Sequence, residues 1–140
     1  MIKRAALLAA VLIGAASIAT AAAAPHAVDG AWAFKTVPFQ GDCVMTGRLI
    51  VKPTAKGAHA CELIAYQTCS AYKITTKQTC QLSETNGAVT IKSKIVHSTS
   101  TGYAPDDFEL KLESAARMTG ELRSADVAKV VFYRGDEAIS

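Results

Sequence analysis

The sequence predicts an all-β domain, an eight-stranded antiparallel up-and-down barrel with two disulfides, and the alternative is a two-sheet β-sandwich. Three observations predict it: strict alternation of apolar and polar residues, turn signals between eight such runs, and four cysteines at matching cross-strand positions. Alternation with a period of two is typical of strands that bury one face. Eight consecutive strands with short turns close into a barrel, which leaves no unpaired edge.

Eight alternating runs can be read from residue 31 onward. The segment FELKLE at 108–113 alternates apolar and charged residues without a fault, and Asn86-Gly87 is a strong signal for a two-residue hairpin turn. The expected strands lie at residues 31–37, 43–52, 58–68, 72–83, 88–98, 107–113, 117–124 and 128–134.

The chain begins with the features of a secretory signal peptide. Lys3 and Arg4 precede a long uncharged apolar run, and the stretch ATAAAAP that ends this run offers small-residue cleavage sites. The alternative is a retained membrane anchor, since residues 5–24 are about long enough to span a bilayer. The high alanine content favours the signal peptide. We therefore expect a signal peptide at 1–23, a flexible N-terminal segment at 24–30, the barrel at 31–135 and a loose tail at 136–140.

Removal of the expected signal peptide leaves an almost neutral domain. Loss of Lys3 and Arg4 reduces the 15 basic residues to 13 against 12 acidic ones, so the net charge falls from +3 to +1. Such a charge is not typical of proteins that bind nucleic acid or an anionic membrane. We expect a secreted or periplasmic protein whose mature form is not embedded in a membrane.

The cysteines are expected to form structural disulfides. Opposed residues of a hairpin have position numbers with a constant sum, and the turn centres give 112 for strands two and three and 141 for strands three and four. Cys43 with Cys69 and Cys61 with Cys80 meet these sums, so we expect these two pairs. The spacing contains neither the short C-x₂₋₄-C pair of zinc sites nor a redox C-x-x-C. No metal or cofactor is expected.

The first expected strand begins DGAWAF, and this G-x-W at the entry to an eight-stranded meander resembles the lipocalin (calycin) pattern. The layout is also similar to that of small periplasmic metalloprotease inhibitors with a lipocalin-like barrel. The resemblance implies that Trp32 closes one end of the barrel against Arg134 of the last strand. Two disulfides and a short chain without a C-terminal helix depart from these families, so their ligand and protease contacts are not carried over.

The histidines do not indicate an active site. His97 is expected opposite Thr76 on the inner face, where Asp106 or Asp107 from the following loop could accompany it. A histidine at the barrel rim, bonded to a loop, is the favoured interpretation, because no nucleophile motif such as G-x-S-x-G is present. We expect no enzymatic activity.

The inner face carries polar residues among apolar ones. Gln67, Thr76, Gln78 and Ser93 point inward by parity, and buried polar groups need partners. They could bond to one another or line a small cavity of the kind that ligands use. A filled interior is favoured, because an eight-stranded barrel is just wide enough for side chains or one small ligand.

The outer face offers a candidate partner surface. Four outward apolar residues of the second and third strands are neighbours in the expected register, and an aromatic residue lies in the longest loop; they are Val44, Ile50, Ile64, Tyr66 and Tyr103. We expect a non-enzymatic exported protein that binds a protein partner through this surface or its loops, with protease inhibition as the leading subclass. The alternatives are a carrier of a small apolar ligand in the barrel and a structural envelope protein without a discrete site.

Overall fold

Eight antiparallel strands form a closed barrel in the computed structural model, which describes Gly14 and residues 28–54 and 58–134. The strands are β1 (Gly30–Thr36), β2 (Val44–Val51), β3 (Ala58–Thr68), β4 (Lys73–Thr85), β5 (Ala88–Ser98), β6 (Asp107–Ser114), β7 (Arg117–Arg123) and β8 (Val127–Tyr133). Each strand pairs with its neighbours in the chain, and β1 also pairs with β8, which closes the barrel. The predicted fold class is confirmed, and the sandwich alternative is wrong.

The strand bounds follow the expected ones closely, and the largest difference is at the end of β4. This strand runs to Thr85, two residues further than expected, and Thr85 pairs with Ala88 across the Asn86-Gly87 turn. Both turn residues have positive φ, 50° and 85°, as a tight two-residue hairpin turn requires. The strand therefore continues until the turn itself begins.

The pairing of β2 with β3 and of β3 with β4 has the register that the turn centres indicate. Val44 pairs with Thr68, and Cys61 pairs with Cys80. Two disulfides join Cys43 to Cys69 and Cys61 to Cys80, with Cα–Cα distances of 4.1 and 4.8 Å. The pairs are those expected from the register, because opposed inward residues bring their Cβ atoms into disulfide range.

His97 does not lie on the inner face, and that expectation is wrong. Gln78 pairs with Ile95, whereas Lys77 pairs with His97, so Val96 is an extra residue in β5. A bulge of this kind reverses the direction of the side chains that follow it. His97 is consequently exposed, and Ser98 takes the place opposite Thr76.

The barrel has two different ends. The end at which Trp32 and Arg134 lie is called the closed end, and the opposite end, surrounded by the four loops at 37–43, 69–72, 99–106 and 124–126, is called the open end. Three aromatic rings fill the centre: Phe34, Phe108 and Phe132 lie with ring centroids 4.9 to 5.5 Å apart. The interior is thus filled at its centre, as expected.

The N-terminal residues that the structure describes pack against the closed end. Val28 is buried, and its carbonyl oxygen accepts a hydrogen bond of 3.0 Å from Nε1 of Trp32. Strand β1 begins at Gly30, so the last residues of the expected flexible segment are in contact with the barrel. Apart from Gly14, the expected signal peptide lies outside the described residues, as do His26 and the tail at 136–140. Within the described part of the chain, no helix has the length and apolarity needed to cross a membrane.

Candidate ligand cavity at the open end

The open end contains a cavity of about 240 Å³. Inward side chains of β2, β3, β4 and β7 form its depth, and the four loops of the open end form its rim. The lining residues are Phe39, Gln40, Met45, Gln67, Tyr72, Ile74, Ser100, Thr101, Gly102, Tyr103, Ala104, Leu122, Ser124, Ala125 and Asp126. The interior is therefore not filled at this end, unlike at the centre.

The depth of the cavity is apolar, while polar and apolar atoms contribute about equally to its lining as a whole. Met45 and Leu122 belong to the hydrophobic core, and Ile74 is half-buried on the inward face of β4. Gln67 also lies on an inward position and is buried to 8% exposure, which is the inward direction expected for this residue. Apolar residues with convergent polar groups are typical of small-molecule sites.

A buried carboxyl group lies directly behind the cavity wall. Asp106 has no exposed surface, and its Oδ2 accepts a hydrogen bond of 2.6 Å from Nε2 of Gln78. The backbone nitrogen of Asp106 donates to Oε1 of the same glutamine at 2.9 Å, and Nε2 of Gln78 also donates to the hydroxyl of Thr76 at 2.8 Å. The hydroxyl of Tyr103 donates to Asp106, with oxygen–oxygen distances of 3.1 and 3.2 Å.

Burial changes the titration of this cluster. It raises the pKa of Asp106 to about 6, although hydrogen bonds from Gln78, Tyr103 and Ser124 act in the opposite direction, and the charge of Asp107 raises the pKa further. Burial and the neighbouring Asp106 also raise the pKa of Tyr103 far above its ordinary value. Both shifts have desolvation of the charged form as their main cause. Tyr103 is therefore a hydrogen-bond donor to Asp106 at any physiological pH.

Loop-to-loop contacts hold the rim. Nε2 of Gln40 donates to Oδ2 of Asp126, which joins the β1–β2 loop to the β7–β8 loop. The backbone nitrogen and the hydroxyl of Ser70 both donate to Oδ2 of Asp42, with the nitrogen at 2.9 Å. The disulfide between Cys43 and Cys69 joins the same two loops as this aspartate. The rim is thus cross-linked around the cavity rather than formed by independent loops.

Among the described residues, one group of three potential metal ligands comes together, Asp42 with Cys43 and Cys69. Both sulfur atoms belong to the disulfide and carry no thiolate, which is the form that binds metals. This group therefore does not have the chemistry of a metal site.

The expected partner surface is divided by charged residues. Ile50, Ile64 and Tyr66 point outward and are 36, 38 and 36% exposed, while Val44 is half-buried. A shallow depression between the two isoleucines is also lined by charged residues, namely Arg48, Glu62 and Lys77. Ile50 and Ile64 thus share one depression, and charged side chains interrupt the apolar surface around it.

Tyr103 is not part of that face. It lies at the cavity of the open end, packs against the hydrophobic core and directs its hydroxyl to Asp106. The structure thus brings Tyr103 together with Gln67 and, through Asp106, with Gln78, rather than with the four outward residues of β2 and β3.

The closed end has the arrangement that the resemblance implies and a contact that sequence reasoning missed. Cζ of Arg134 lies 3.9 Å from the centre of the Trp32 ring, and Nη1 of the arginine donates to the carbonyl oxygen of Asp29. Burial lowers the pKa of Arg134 and the nearby Asp29 raises it. His59 is buried, with Nδ1 at 2.9 Å from Oδ1 of Asp29. It points inward like Cys61, two residues further along β3.

Asp106 was considered only as a companion of a histidine, and its burial was missed. It shares its parity with Phe108 and Leu110, both inward residues of β6, so continuing that alternation backward across the strand start would have placed it inside. The position of Tyr103 has no such signal, because residues 99–106 follow no periodic pattern.

The barrel is similar to designed proteins of the same architecture. A redesigned beta barrel matches with a TM-score of 0.55 and 16% identity, covering 79% of this chain and 93% of its own. A de novo designed fluorescence-activating beta barrel matches with a TM-score of 0.53 and 14% identity, covering 76% and 93% of the two chains. The redesigned barrel mFAP0, bound to DFHBI, matches with a TM-score of 0.55 and 14% identity, covering 77% and 99%. At these identities the similarity concerns the fold alone. Neither a protein-family model nor a curated protein sequence matches the chain.

Proposed function

We propose that the protein is an exported, non-enzymatic binding protein that takes a small molecule into the cavity at the open end of its barrel. The observation that carries this proposal is the cavity of about 240 Å³, with an apolar depth and polar groups at its sides. At roughly 30 Å³ of liquid per water, this volume is equivalent to about eight waters. The ligand is accordingly smaller than a typical drug-sized molecule.

In this proposal the apolar depth of the cavity attracts the ligand, and the rim lets the ligand enter. Ile74, which is half-buried, presents hydrocarbon surface that gains free energy when a ligand displaces water from it, and the almost fully buried Met45 and Leu122 give the cavity an apolar floor. The cross-linked rim favours a preformed site, which reduces the entropy that is lost on binding. The designed barrels of similar fold include one bound to DFHBI, which supports small-molecule binding by a barrel of this size.

Surface binding, the function preferred from the sequence, has less support. Its residues Ile50, Ile64 and Tyr66 are each little more than one-third exposed and alternate with charged neighbours. A partner surface of the usual kind has a contiguous apolar patch at its centre. Export from the cell is part of the proposal, and the two disulfides support it, because such bonds persist in oxidising compartments.

The experiment is native mass spectrometry of the protein purified gently from its own host, compared with a variant whose cavity is filled. Ala104→Trp introduces a large side chain into the lining, whereas Val96→Trp introduces the same side chain at a 59% exposed position outside it. We expect an adduct of small molecular mass on the wild-type protein and on the Val96 variant, and none on the Ala104 variant.

Two outcomes contradict the proposal. One is an adduct that persists in the Ala104→Trp variant, because the ligand then lies elsewhere. The other is a bare mass for all three proteins, together with no change in the melting temperature of the wild-type protein in a panel of small apolar molecules. A thermal melt of each variant checks that it is folded.

A further inference from the structure

The cavity has an unusual imbalance of charge among its walls. Among the described residues that line it, none is Lys, Arg or His, whereas Asp126 lies at its rim. Lys73 lies at an adjoining depression, and its Nζ is over the ring of Tyr66, 5.4 Å from the ring centre. A second carboxyl group, that of Asp106, is separated from the cavity by the side chains of Tyr103 and Ser124. Both of these residues line the cavity, and both contact Asp106. Among the ion pairs of the described residues, none includes Asp106 or Asp126.

Three side-chain donors of the lining are directed at other groups of the protein, and each of the two glutamine amides keeps a second N–H hydrogen. Nε2 of Gln40 donates to Asp126, Nε2 of Gln67 to Sγ of Cys69 at 3.7 Å, and the Tyr103 hydroxyl to Asp106. The oxygen atoms of the same three side chains remain as acceptors. The Tyr103 hydroxyl lies 3.4 Å from Oε1 of Gln67, to which it can donate in place of Asp106. While its hydrogen is directed at the closer Asp106, the oxygens of Gln67 and Tyr103 stand side by side as acceptors.

We propose that the ligand of this cavity is a small protonated amine with an apolar body, and this inference rests on the proposed function. The ammonium group would donate hydrogen bonds to the paired oxygens of Gln67 and Tyr103 and lie near the carboxylates of Asp106 and Asp126. The body would occupy the apolar depth beside Met45 and Leu122.

Electrostatics favours this class over neutral and anionic ligands. A carboxylate that is desolvated without a cation is costly, and a positive charge brought into the same low-dielectric region reduces that cost. An anionic ligand would be repelled by the same carboxylates and would also lose its own hydration, so both effects would weaken its binding. Tyr72, Tyr103 and Phe39 also line the cavity, and aromatic rings are favourable neighbours for an ammonium group.

The inference includes a pH dependence. The groups around Asp106 are Gln78 from β4, Tyr103 from its own loop, Ser124 from the β7–β8 loop, and Asp107, which lies 3.5 Å from Nζ of Lys92. Only the two aspartates are carboxyl groups, and Lys92 is directed at Asp107. A bound ammonium would keep Asp106 ionised, so protonation of Asp106 competes with binding.

The test uses three probes of similar shape and different charge: phenethylamine, phenethyl alcohol and hydrocinnamate. Binding to the purified protein is followed by NMR, through the side-chain amides of Gln40 and Gln67 and the backbone amides of residues 100–104, which border the cavity. We expect phenethylamine to bind on the order of tenfold more tightly than the alcohol, and hydrocinnamate to bind most weakly. The affinity for phenethylamine should fall by up to about tenfold from pH 7.5 to pH 5, while the amine itself stays protonated.

Variants of the two aspartates, with a matched control, test whether the carboxylates cause the preference for the amine. Asp126→Asn keeps an oxygen that accepts from Gln40 and removes only the charge. Asp106→Asn also removes a charge, but its amide donates to the Tyr103 oxygen and turns that hydroxyl toward Gln67, so it changes the acceptors of the cavity as well. Glu113→Gln removes one charge from an exposed position outside the cavity lining. We expect both Asp variants to reduce the preference for the amine severalfold and the Glu variant to leave it unchanged. Because Asp126 lies on the rim, its variant is still informative if the Asp106 variant does not fold.

The outcomes separate this inference from the proposed function. If phenethyl alcohol or hydrocinnamate binds at the cavity amides as tightly as the amine, the amine class is wrong and small-molecule binding stands. If the amine is preferred but Asp126→Asn leaves the preference unchanged, the inference is also wrong. If none of the three probes shifts the cavity amides at millimolar concentration, the amine inference fails, and the mass-spectrometry and melting experiments decide the proposed function separately.

Discussion

The guanidinium carbon of Arg134 lies 3.9 Å from the centre of the Trp32 ring, so the residue after the last strand covers the first strand at the closed end of the barrel. The same guanidinium donates to the carbonyl oxygen of Asp29, and Trp32 donates to the carbonyl oxygen of Val28. These contacts join the two termini of the domain. They place the plug of the barrel at the end opposite the cavity.

Replacement of Arg134 by alanine is expected to destabilise the domain by about 1–3 kcal/mol, because it removes a contact with an aromatic ring and a hydrogen bond. The free energy of unfolding is measured in urea, with Trp32 fluorescence as the signal. Lys129→Ala, on an exposed position of β8, is the control and should change the stability little. Equal effects of the two substitutions would show that the stacking of Arg134 is not stabilising.

Gly47→Ala is expected to lower the free energy of unfolding by more than a change in backbone propensity alone would. A Cβ atom at this position would clash with the carbonyl oxygen of Ile64 and would lie 2.6 Å from Cε1 of Phe34. Overpacking of a core of this kind typically costs about 1–3 kcal/mol, and backbone atoms cannot move aside as a side-chain tip does. The midpoint of urea unfolding measures the effect.

Gly41→Ala is the matched control for Gly47→Ala. Gly41 has a φ of 85°, and no atom lies within 4 Å of the position that a Cβ atom would occupy there. Gly41→Ala should therefore lower the free energy of unfolding only by the conformational cost of an alanine at positive φ, about 1 kcal/mol. A smaller loss of stability for Gly47→Ala than for Gly41→Ala would contradict the close packing of Phe34 against β2.

The two disulfides should be separable by digestion under non-reducing conditions. Trypsin leaves Cys61 and Cys69 on one peptide, because neither Lys nor Arg lies between them, whereas chymotrypsin cleaves after Tyr66 and separates them. We expect one linked peptide pair with Cys43 and Cys69 and another with Cys61 and Cys80. A peptide that links Cys69 to Cys80 would contradict the register of β3 with β4.

Removal of either disulfide by paired alanine substitution is expected to cost about 3–4 kcal/mol, because the cross-links restrict the unfolded chain. The sequence separations are 26 residues for Cys43–Cys69 and 19 for Cys61–Cys80, so the loop-closure contributions are nearly equal. Urea unfolding of both double variants gives the comparison. A difference of several kcal/mol would mean that contacts in the folded state dominate over loop closure.

Stability should fall as the pH rises through the titration of Asp106. Its pKa is raised to about 6 in the folded protein, so between its ordinary value near 4 and pH 6 the folded state binds more protons than the unfolded state. The free energy of unfolding therefore decreases over this interval by up to about 3 kcal/mol. Above pH 6 this contribution is constant. Urea unfolding at a series of pH values measures the curve.

Asp106→Asn should remove that part of the pH dependence. The asparagine amide can donate to the oxygen of Tyr103, whose hydroxyl then donates to Oε1 of Gln67, 3.4 Å away. The variant should be at least as stable as the wild type above pH 6, because no charge is buried. Glu113→Gln should retain the wild-type curve. Identical curves for the wild type and Asp106→Asn would contradict a raised pKa at Asp106.

Strand positions and cysteine pairing were predictable because their causes are local. Alternation identifies the two faces of a strand, and the positive φ angles at Asn86 and Gly87 are those of a turn that those residue types favour. Once the turn centres are known, the partner of Cys61 follows from its position alone. The number of strands and their order then indicate a closed meander.

The inner face was predictable only as far as the alternation continues. Gln67 and Gln78 point inward as expected, whereas the bulge at Val96 turns His97 outward. A bulge adds one residue without changing the local pattern of residue types, so parity beyond it cannot be followed from the sequence. The end of β5 was assigned to the wrong face for this reason.

The sequence by itself determined the barrel, its register and its disulfides, because alternation, turn type and strand order act between neighbours along the chain. Only the tertiary structure decided that Tyr103 folds over the mouth of the barrel and that Asp106 is buried against Gln78. These contacts join residues up to 36 positions apart, through a loop without periodicity. The geometry of these contacts depends on the volume that the barrel interior leaves for the side chains of Tyr103 and Asp106. This volume is defined only when all eight strands have closed into the barrel.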